Sequence, residues 1–282
     1  MSTPPAPPPI ITLLTDFGTR GIYAGVLHGV IARLCPGATV VDLTHEVTPQ
    51  AIREGAFLLS AAYHYFPPET VHVAVVDPGV GTARRAIALA VPGVGRFIGP
   101  DNGLFTPILE AHVEVAARQI TSRAFGHGGA VSNTFHGRDI FAPAAAALAG
   151  GAAFTVIGPA LDRASLVRLP DFWATWETRA ALGGVVRGKV VHIDRFGNLI
   201  TNIRRDLFAA LPPTALAAAR VRTRHHDCAG IATTYGEQPP GTIVALFGSA
   251  GVLEIARVNG RADRTPRGQL IALGLPVEVT VG

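Results

Sequence analysis

The chain is poor in cysteine, with 2 among 282 residues. Cys35 and Cys228 lie far apart, so no disulfide framework staples the fold and a reducing compartment is the expected setting. Charge is sparse as well, at 16% of residues, and the net +4 is scattered. No run of Lys/Arg interleaved with aromatics is present, which removes the usual footprint of a nucleic-acid binder. The N-terminus MSTPPAPPP lacks the basic and apolar regions of a signal peptide, and its prolines favour an extended, solvated leader over residues 1–9. The longest apolar run, Ile140 to Leu161, is interrupted by Gly150, Gly151 and Pro159. It reads as a buried helix followed by a short strand, not as a membrane span. These absences predict a soluble, cytoplasmic protein that binds neither nucleic acid nor membrane.

Two catalytic signatures are missing too. No Gly-x-Ser-x-Gly elbow occurs, which counts against an α/β-hydrolase nucleophile. The glycine-rich PGVGTARR lacks the Lys-Ser/Thr of a phosphate-binding P-loop, and Arg84 stands at the third-glycine position of a dinucleotide fingerprint. The tetrapeptide HHDC, His225 to Cys228, holds ligand-type residues. Sequence neighbours cannot easily share one tetrahedral ion without a partner cluster, so no metal site is assigned.

What is present is a compact composition: 48% hydrophobic residues, 32 glycines and 22 prolines, enough for a large core in one or two domains. In the first part, apolar strand-like runs alternate with helical periodicity. ITLLTD precedes a helix whose face carries Tyr23, Val26, Leu27, Val30, Ile31 and Leu34, stopped by Pro36-Gly37. TVVDLTH follows as a strand, then a helix with Ile52, Ala56, Leu59 and Tyr63 on one face, then the strands VHVAVV, AIALAV and RFIG. Continuous apolar strands between amphipathic helices argue for a sheet covered on both faces, hence an α/β domain over residues 10–172. Residues 173–182 read as a linker. From 183 to 282 the segments GKVVHID, NLITNI, GTIVALFG, GVLEIARVN and LPVEVTVG are short and strand-like, and only RRDLFAAL and TALAAAR look helical. This is a smaller, mostly β domain of barrel or sandwich type.

Ligands of α/β sheets bind beyond the carboxyl ends of the strands. Asp16, Asp77 and Asp101 stand at such ends, and a lone acid there is often only a cap or turn former. Three in succession predict a shared cleft. The stretch VVDPGVGTARR closes an apolar strand on Asp77 and brings Arg84 and Arg85 within eight residues of it. SNTFHGRDIFAP adds His136, Arg138 and Asp139 before a helix that Pro143 helps to start. Asp77, Arg84 and His136 together offer an acid, a fixed positive charge and a base, a set suited to hydrolysis. HIDRFGNLITN contributes a carboxylate and an amide at the entry to a strand, where a surface hairpin is the simpler alternative.

LLTDFGT, DLTHEVTPQ, AVVDPGVGTARR, GPDNGLFT, TFHGRDIFAP and DRFGNLITNI, in this order, resemble the S-adenosylmethionine hydroxide adenosyltransferases, the water-using relatives of fluorinase and chlorinase. The similarity runs from Ile10 to about Gly260. It implies an α/β domain followed by a β domain, and a homotrimer with active sites at subunit interfaces. It also implies hydrolysis of S-adenosylmethionine to adenosine and L-methionine, with no metal and no cofactor. By motif, the catalytic constellation maps onto Asp77, Arg84 and His136, and the ribose-binding acid onto Asp16. Asn198 would meet the adenine, Asp194 and Ser249 the methionine ammonium, with Phe196 packing nearby. Water attacks the ribose 5′ carbon and a neutral thioether leaves, so the site must hold and deprotonate water but needs no general acid. Either Asp77 or His136 serves as the base.

Two alternatives stay open. Halogenating relatives carry a tyrosine at the Asp77 position, and fluorinase a tyrosine-serine pair in place of His136-Gly137. A carboxylate beside a halide would repel it. Fluorinase also has an insertion absent here, where Asp101 follows Ala90 closely. A non-catalytic S-adenosylmethionine or adenosine binder is the other class, against which the joint presence of Asp77, Arg84 and His136 counts. Gly21 and Gly248 depart from the family pattern, at a position where an acid is common and one where asparagine is usual.

Overall fold

The computed structural model describes residues 7–121, 130–180, 183–265 and 268–282. The chain divides into two units, Met1–Pro170 and Asp171–Gly282. Most of the leader, residues 1–6, lies outside the described residues.

The first unit runs β1 (Ile10–Thr15), α1 (Tyr23–Leu34), β2 (Thr39–Thr44), α2 (Ile52–Ala62), β3 (Thr70–Val75), β4 (Ala86–Val91), β5 (Gly95–Pro100), α3 (Thr106–Ala111), β6 (Ala116–Gln119), α4 (Ala142–Ala149) and β7 (Ala160–Leu161). The strands form one sheet in the order β2-β1-β3-β5-β4-β6-β7. β2, β1, β3 and β5 are parallel, whereas β4, β6 and β7 join antiparallel. The change of sense has a local cause: β4 turns into β5 through three residues with Gly93 at φ 71°, too short for the crossover that parallel pairing demands.

Every residue of β3 is buried, as a central strand between two covered faces requires. On one face Leu27 and Ile31 of α1 and Leu148 of α4 pack against Ile11, Leu13, Val71 and Val73. On the other, α2 comes so near that a Cβ at Gly55 would stand 2.9 Å from Val76 Cγ2. The helix face expected for α1 is narrower than its periodicity suggests: Leu27, Val30 and Ile31 are buried, while Tyr23 and Leu34 at its ends are exposed. The apolar run from Ile140 becomes a π-helical turn, Gly137–Phe141, that feeds α4, followed by the two-residue β7. No helix among the described residues is long and apolar enough to cross a membrane.

The second unit contains β8 (Thr175–Ala180), β9 (Gly183–Ile193), β10 (Leu199–Arg204), α5 (Pro213–Ala218), β11 (Arg220–Arg222), β12 (Asp227–Ala229), β13 (Ile243–Phe247), β14 (Val252–Arg257) and β15 (Pro276–Val281). Its antiparallel sheet runs β12-β11-β15-β9-β10-β14-β13, with β8 added to β9. Past β12, Ala232 N donates to Ala245 O of β13 at 2.8 Å, so the two ends of the strand order approach each other as in a barrel. The segment read as a linker is a strand instead. Trp176 pairs with Val186 and its indole N–H donates to Leu207 O, which ties β8 into the second core. RRDLFAAL makes only a 3₁₀ turn, Arg205–Phe208. HHDC runs from a hairpin turn into a strand: His225 and His226 lie between β11 and β12, and Asp227 and Cys228 open β12, which pairs antiparallel with β11.

Candidate active site

β1 and β3 are neighbours in register, with Thr15 opposite Val75. The residues that leave their carboxyl ends therefore emerge side by side at one edge of the sheet. There a cavity of about 270 Å³ is lined by Asp16, Phe17, Gln50, Asp77, Phe135 and His136, among others. Asp16 is held by Gln50, whose backbone N–H donates to Asp16 Oδ2 at 2.8 Å from a left-handed conformation (φ 67°). Phe17, Tyr23 and Phe135 pack edge to face beside it, with centroids 5.2–6.0 Å apart.

The loop after β3 turns on itself through Val80 N to Asp77 O and Thr82 N to Gly79 O. Gly81 has φ 78°, and a Cβ there would lie 2.3 Å from Asn133 O. Only glycine lets this loop close against the 132–136 segment. Closure brings Arg84 back over Asp77: Nε donates to Oδ1 and Oδ2 at 3.0 Å each, and Nη2 donates to Oδ2. The same Nη2 lies 2.7 Å from His136 Nδ1. A guanidinium has no acceptor, so Nδ1 must accept, and the imidazole is the neutral tautomer with its proton on Nε2. The Arg84 and Asp77 side chains are only 10% and 6% exposed, and Phe141 lies under the guanidinium, 5.2 Å from it. Burial, reinforced by the Arg84 charge, holds the His136 imidazole below the ordinary histidine range, against a weaker upward pull from Asp77 and Asp139. His136 is thus neutral at pH 7.

Gly137 is confined as well. A Cβ there would meet Phe135 at 3.3 Å and Phe17 and Leu27 at 3.4 Å, so the serine of the fluorinase pattern would press on these side chains.

The remaining residues expected near this edge have structural duties. Asp101 does not share the cleft. It is 5% exposed, accepts from Arg85 and from Val167 N at 2.9 Å, and so fastens β5 to the 165–167 segment together with the Arg85–Ser165 contacts. The strand order explains this: the loop after β5 turns to α3, so Asp101 meets Arg85 at the base of β4. The second arginine of the RR pair is therefore a strut. Asp139 pairs with Arg138 and accepts from Ser132 N at 2.8 Å, which fixes the segment that presents His136.

In the second unit the DRFGN turn is closed by Asp194, whose Oδ1 accepts from Asn198 N and Oδ2 from Asn198 Nδ2, both at 2.9 Å. The carboxylate fixes which way the amide faces and leaves Asn198 Oδ1 as an acceptor for an incoming amino group. Phe196 at the tip is 74% exposed, an apolar ring available for stacking. Ser249 stands exposed in the hairpin between β13 and β14, closed by Gly251 N to Gly248 O.

Glu254 on β14 and Tyr235 form a pair that no sequence motif marks. Tyr235 donates its hydroxyl to Glu254 Oε1, and a Cβ at Gly248 would lie 2.2 Å from Glu254 Oε2. The unusual glycine thus makes room for a carboxylate. Burial pushes the Glu254 carboxyl up; the Tyr235 hydrogen bond opposes this and the nearby Asp194 charge adds to it. Nineteen positions separate the pair, and no local pattern links them. Asp194 and Glu254 lie near enough for their charges to interact, and Glu254 stands against Gly248, the neighbour of Ser249 in the chain. The HHDC side chains diverge: His226 bonds Ala262 O, Asp227 pairs with Arg220, and Cys228 is buried in the core.

Family models agree with this layout. The SAM hydroxide adenosyltransferase N-terminal domain matches residues 11–158 and the corresponding C-terminal domain residues 188–269. The chain is 42% identical to an (R)-S-adenosyl-L-methionine hydrolase of Salinispora tropica, over 91% of this chain and 93% of that one. A fluorinase of an Actinoplanes species is more distant, 32% identical over 70% of this chain and 72% of its own. Among solved structures, a conserved protein of Thermotoga maritima superposes with a TM-score of 0.84 at 36% identity, over 95% of this chain and 99% of that one.

Proposed function

This chain belongs to the SAM hydroxide adenosyltransferase family, and on that premise we propose that it hydrolyses S-adenosylmethionine to adenosine and L-methionine. The observation that carries the reading is the desolvated Asp77–Arg84–His136 constellation at the mouth of the β1–β3 edge. Water is held against the ribose 5′ carbon, in line with the carbon–sulfur bond. His136, with Nδ1 occupied by Arg84, offers Nε2–H as a donor and has no lone pair free to take a proton. Asp77 keeps a lone pair on Oδ1, which accepts only from Arg84 Nε, and is the base. Arg84 stabilises the developing hydroxide and orients both partners. Hydroxide and sulfonium neutralise each other as the bond forms, so a water-poor cavity favours the transition state over the separated charges.

Asp16 binds the ribose hydroxyls, and Asn198 and Phe196 receive the adenine. Asp194 and Ser249, with Glu254 behind them, receive the methionine ammonium. We further read the protein as a cytoplasmic homotrimer in which active sites form at subunit interfaces. Its two cysteines are free and buried, in keeping with a reducing compartment. The reaction as written draws on no metal and no cofactor. A halogenase is the weaker reading, because the Asp77 carboxylate stands where a halide would have to lose its water.

The test is chromatography of products from the separated (R) and (S) sulfonium epimers, in ordinary and in oxygen-18 water. The (R) descriptor in the relative's name motivates the separation. Adenosine carrying heavy oxygen at the 5′ position, lost in Asp77→Ala, is the expected result. Intact substrate without halide, or label elsewhere, overturns the hydrolase reading. Mixing Asp77→Ala with Asn198→Ala protein tests shared sites: partial recovery of activity is expected, and none means that each chain works alone.

A further inference from the structure

At the outer edge of the first unit's sheet, three side chains that the hydrolysis does not use converge. They come from α1 (His28), β2 (Asp42) and the turn that follows it (His45). His28 Nε2 lies 2.8 Å from Asp42 Oδ1 and 3.1 Å from Oδ2. His45 Nε2 lies 3.1 Å from the same Oδ1. One ligating atom from each falls within 4.8 Å of the others. Asp42 and His28 are about two-fifths exposed, at 42% and 39%, whereas His45 is only 4% exposed.

An ion pair between His28 and Asp42 would account for two of these groups but not for the third. His45 Nε2 is buried and makes no hydrogen bond, although a carboxylate oxygen is only 3.1 Å away. Burying a polar atom without a partner costs about 1–3 kcal/mol. Its other nitrogen, Nδ1, is engaged by Thr15 Oγ1 at 2.8 Å, and that oxygen also accepts from Phe17 N. A ring nitrogen tied to an oxygen behind, with the opposite nitrogen bare and close to a carboxylate, is how proteins orient a metal-ligating histidine.

We propose that His28, Asp42 and His45 form a binding site for a divalent cation of the zinc class, separate from the hydrolytic site. Two imidazoles and one carboxylate suit zinc, cobalt or nickel and not magnesium or calcium. Ligands on a tetrahedral zinc sit about 3.4 Å apart at ordinary Zn–N and Zn–O distances. The cluster therefore needs to open by a few tenths of an ångström, which the exposed His28 side chain permits. Water completes the coordination from the solvent side. The ion would join α1 to β2 and, through Thr15, brace the residue before Asp16.

The experiment is equilibrium dialysis of the tag-free, full-length protein against zinc, with cobalt absorption as a second reading. Wild type, His28→Ala and Asp42→Ala are compared, each checked for an unchanged circular dichroism spectrum. Both replaced residues are surface-exposed, so the variants fold. Saturable binding of one zinc per chain is expected, together with a rise in melting temperature. Each variant should weaken binding by at least about tenfold, with adenosine formation by the metal-free enzyme unchanged. Absence of saturable binding overturns the proposal, as does binding that both variants retain, because the ion then sits elsewhere.

Discussion

Replacing Asp77 by asparagine removes one negative charge and almost no volume. In the native site both carboxylate oxygens accept from Arg84. The amide oxygen of asparagine can keep the Nε contact, but the amide nitrogen meets Nη2 donor to donor. One charge-assisted hydrogen bond is lost, at about 1.5–3 kcal/mol. Domains of this kind are stable by about 5–15 kcal/mol, so the variant folds. At roughly 2–4 °C per kcal/mol for a unit of this size, its melting temperature falls by about 3–12 °C.

Catalysis should suffer far more. A positioned general base contributes about 10²–10⁴ in rate, equivalent to about 2.7–5.5 kcal/mol of barrier. Initial rates of adenosine formation at saturating substrate, with melting curves on the same samples, separate the two effects. Asp77→Asn should lose at least about a hundredfold in kcat, and His136→Gln, which can still donate a hydrogen bond, should lose less. If Asp77→Asn keeps more than about a tenth of the wild-type rate while His136→Gln is inactive, histidine is the base and the tautomer argument fails.

Other outcomes follow from the same contacts. Because burial and Arg84 hold His136 below the ordinary histidine range, the acidic limb of the kcat/KM profile should lie below about pH 6.5; a limb at or above that value contradicts the assignment. His72 sits wholly buried on β3 with its imidazole pushed down to about 4. The unfolded chain therefore binds a proton that the folded chain refuses between about pH 6.5 and 4, and stability falls by about 3 kcal/mol as pH drops through that window. Denaturant unfolding of wild type and His72→Asn should show this slope in the first only. Gly81→Ala places a Cβ against Asn133 O at a positive φ, so loop 77–85 cannot close. Activity should collapse, with a loss of at least about 1–3 kcal/mol of stability, read by calorimetry; a wild-type melting curve would mean that the loop closes without glycine.

Much of the first unit was legible in sequence because its signals are local. β3 is a continuous apolar run that ends at Asp77, and a strand buried on both faces needs nothing else to be recognised. Asp16 and Asp77 line one cavity, as their strand-end positions suggest, because parallel neighbours expose their carboxyl ends at one edge. The same rule misassigned Asp101, since sequence records that an acid follows a strand but not which arginine will claim it. β8 reads as a linker because it carries mixed residues, with Trp176 against the core and Glu177 exposed, and its identity as a strand comes from the partner β9.

Composition and periodicity, by themselves, determined the α/β-then-β layout, and motif order the family and the residue types of the proposed reacting set. Tertiary structure alone decided that Arg84 reaches His136 Nδ1 and so fixes its tautomer, that Glu254 fills the space left by Gly248, and that His45 presents an unpaired nitrogen to Asp42. The first needs residues 52 positions apart in the chain to meet, and the other two depend on which way side chains turn within a hairpin and a tight turn; sequence periodicity reports only neighbours along a strand or around a helix.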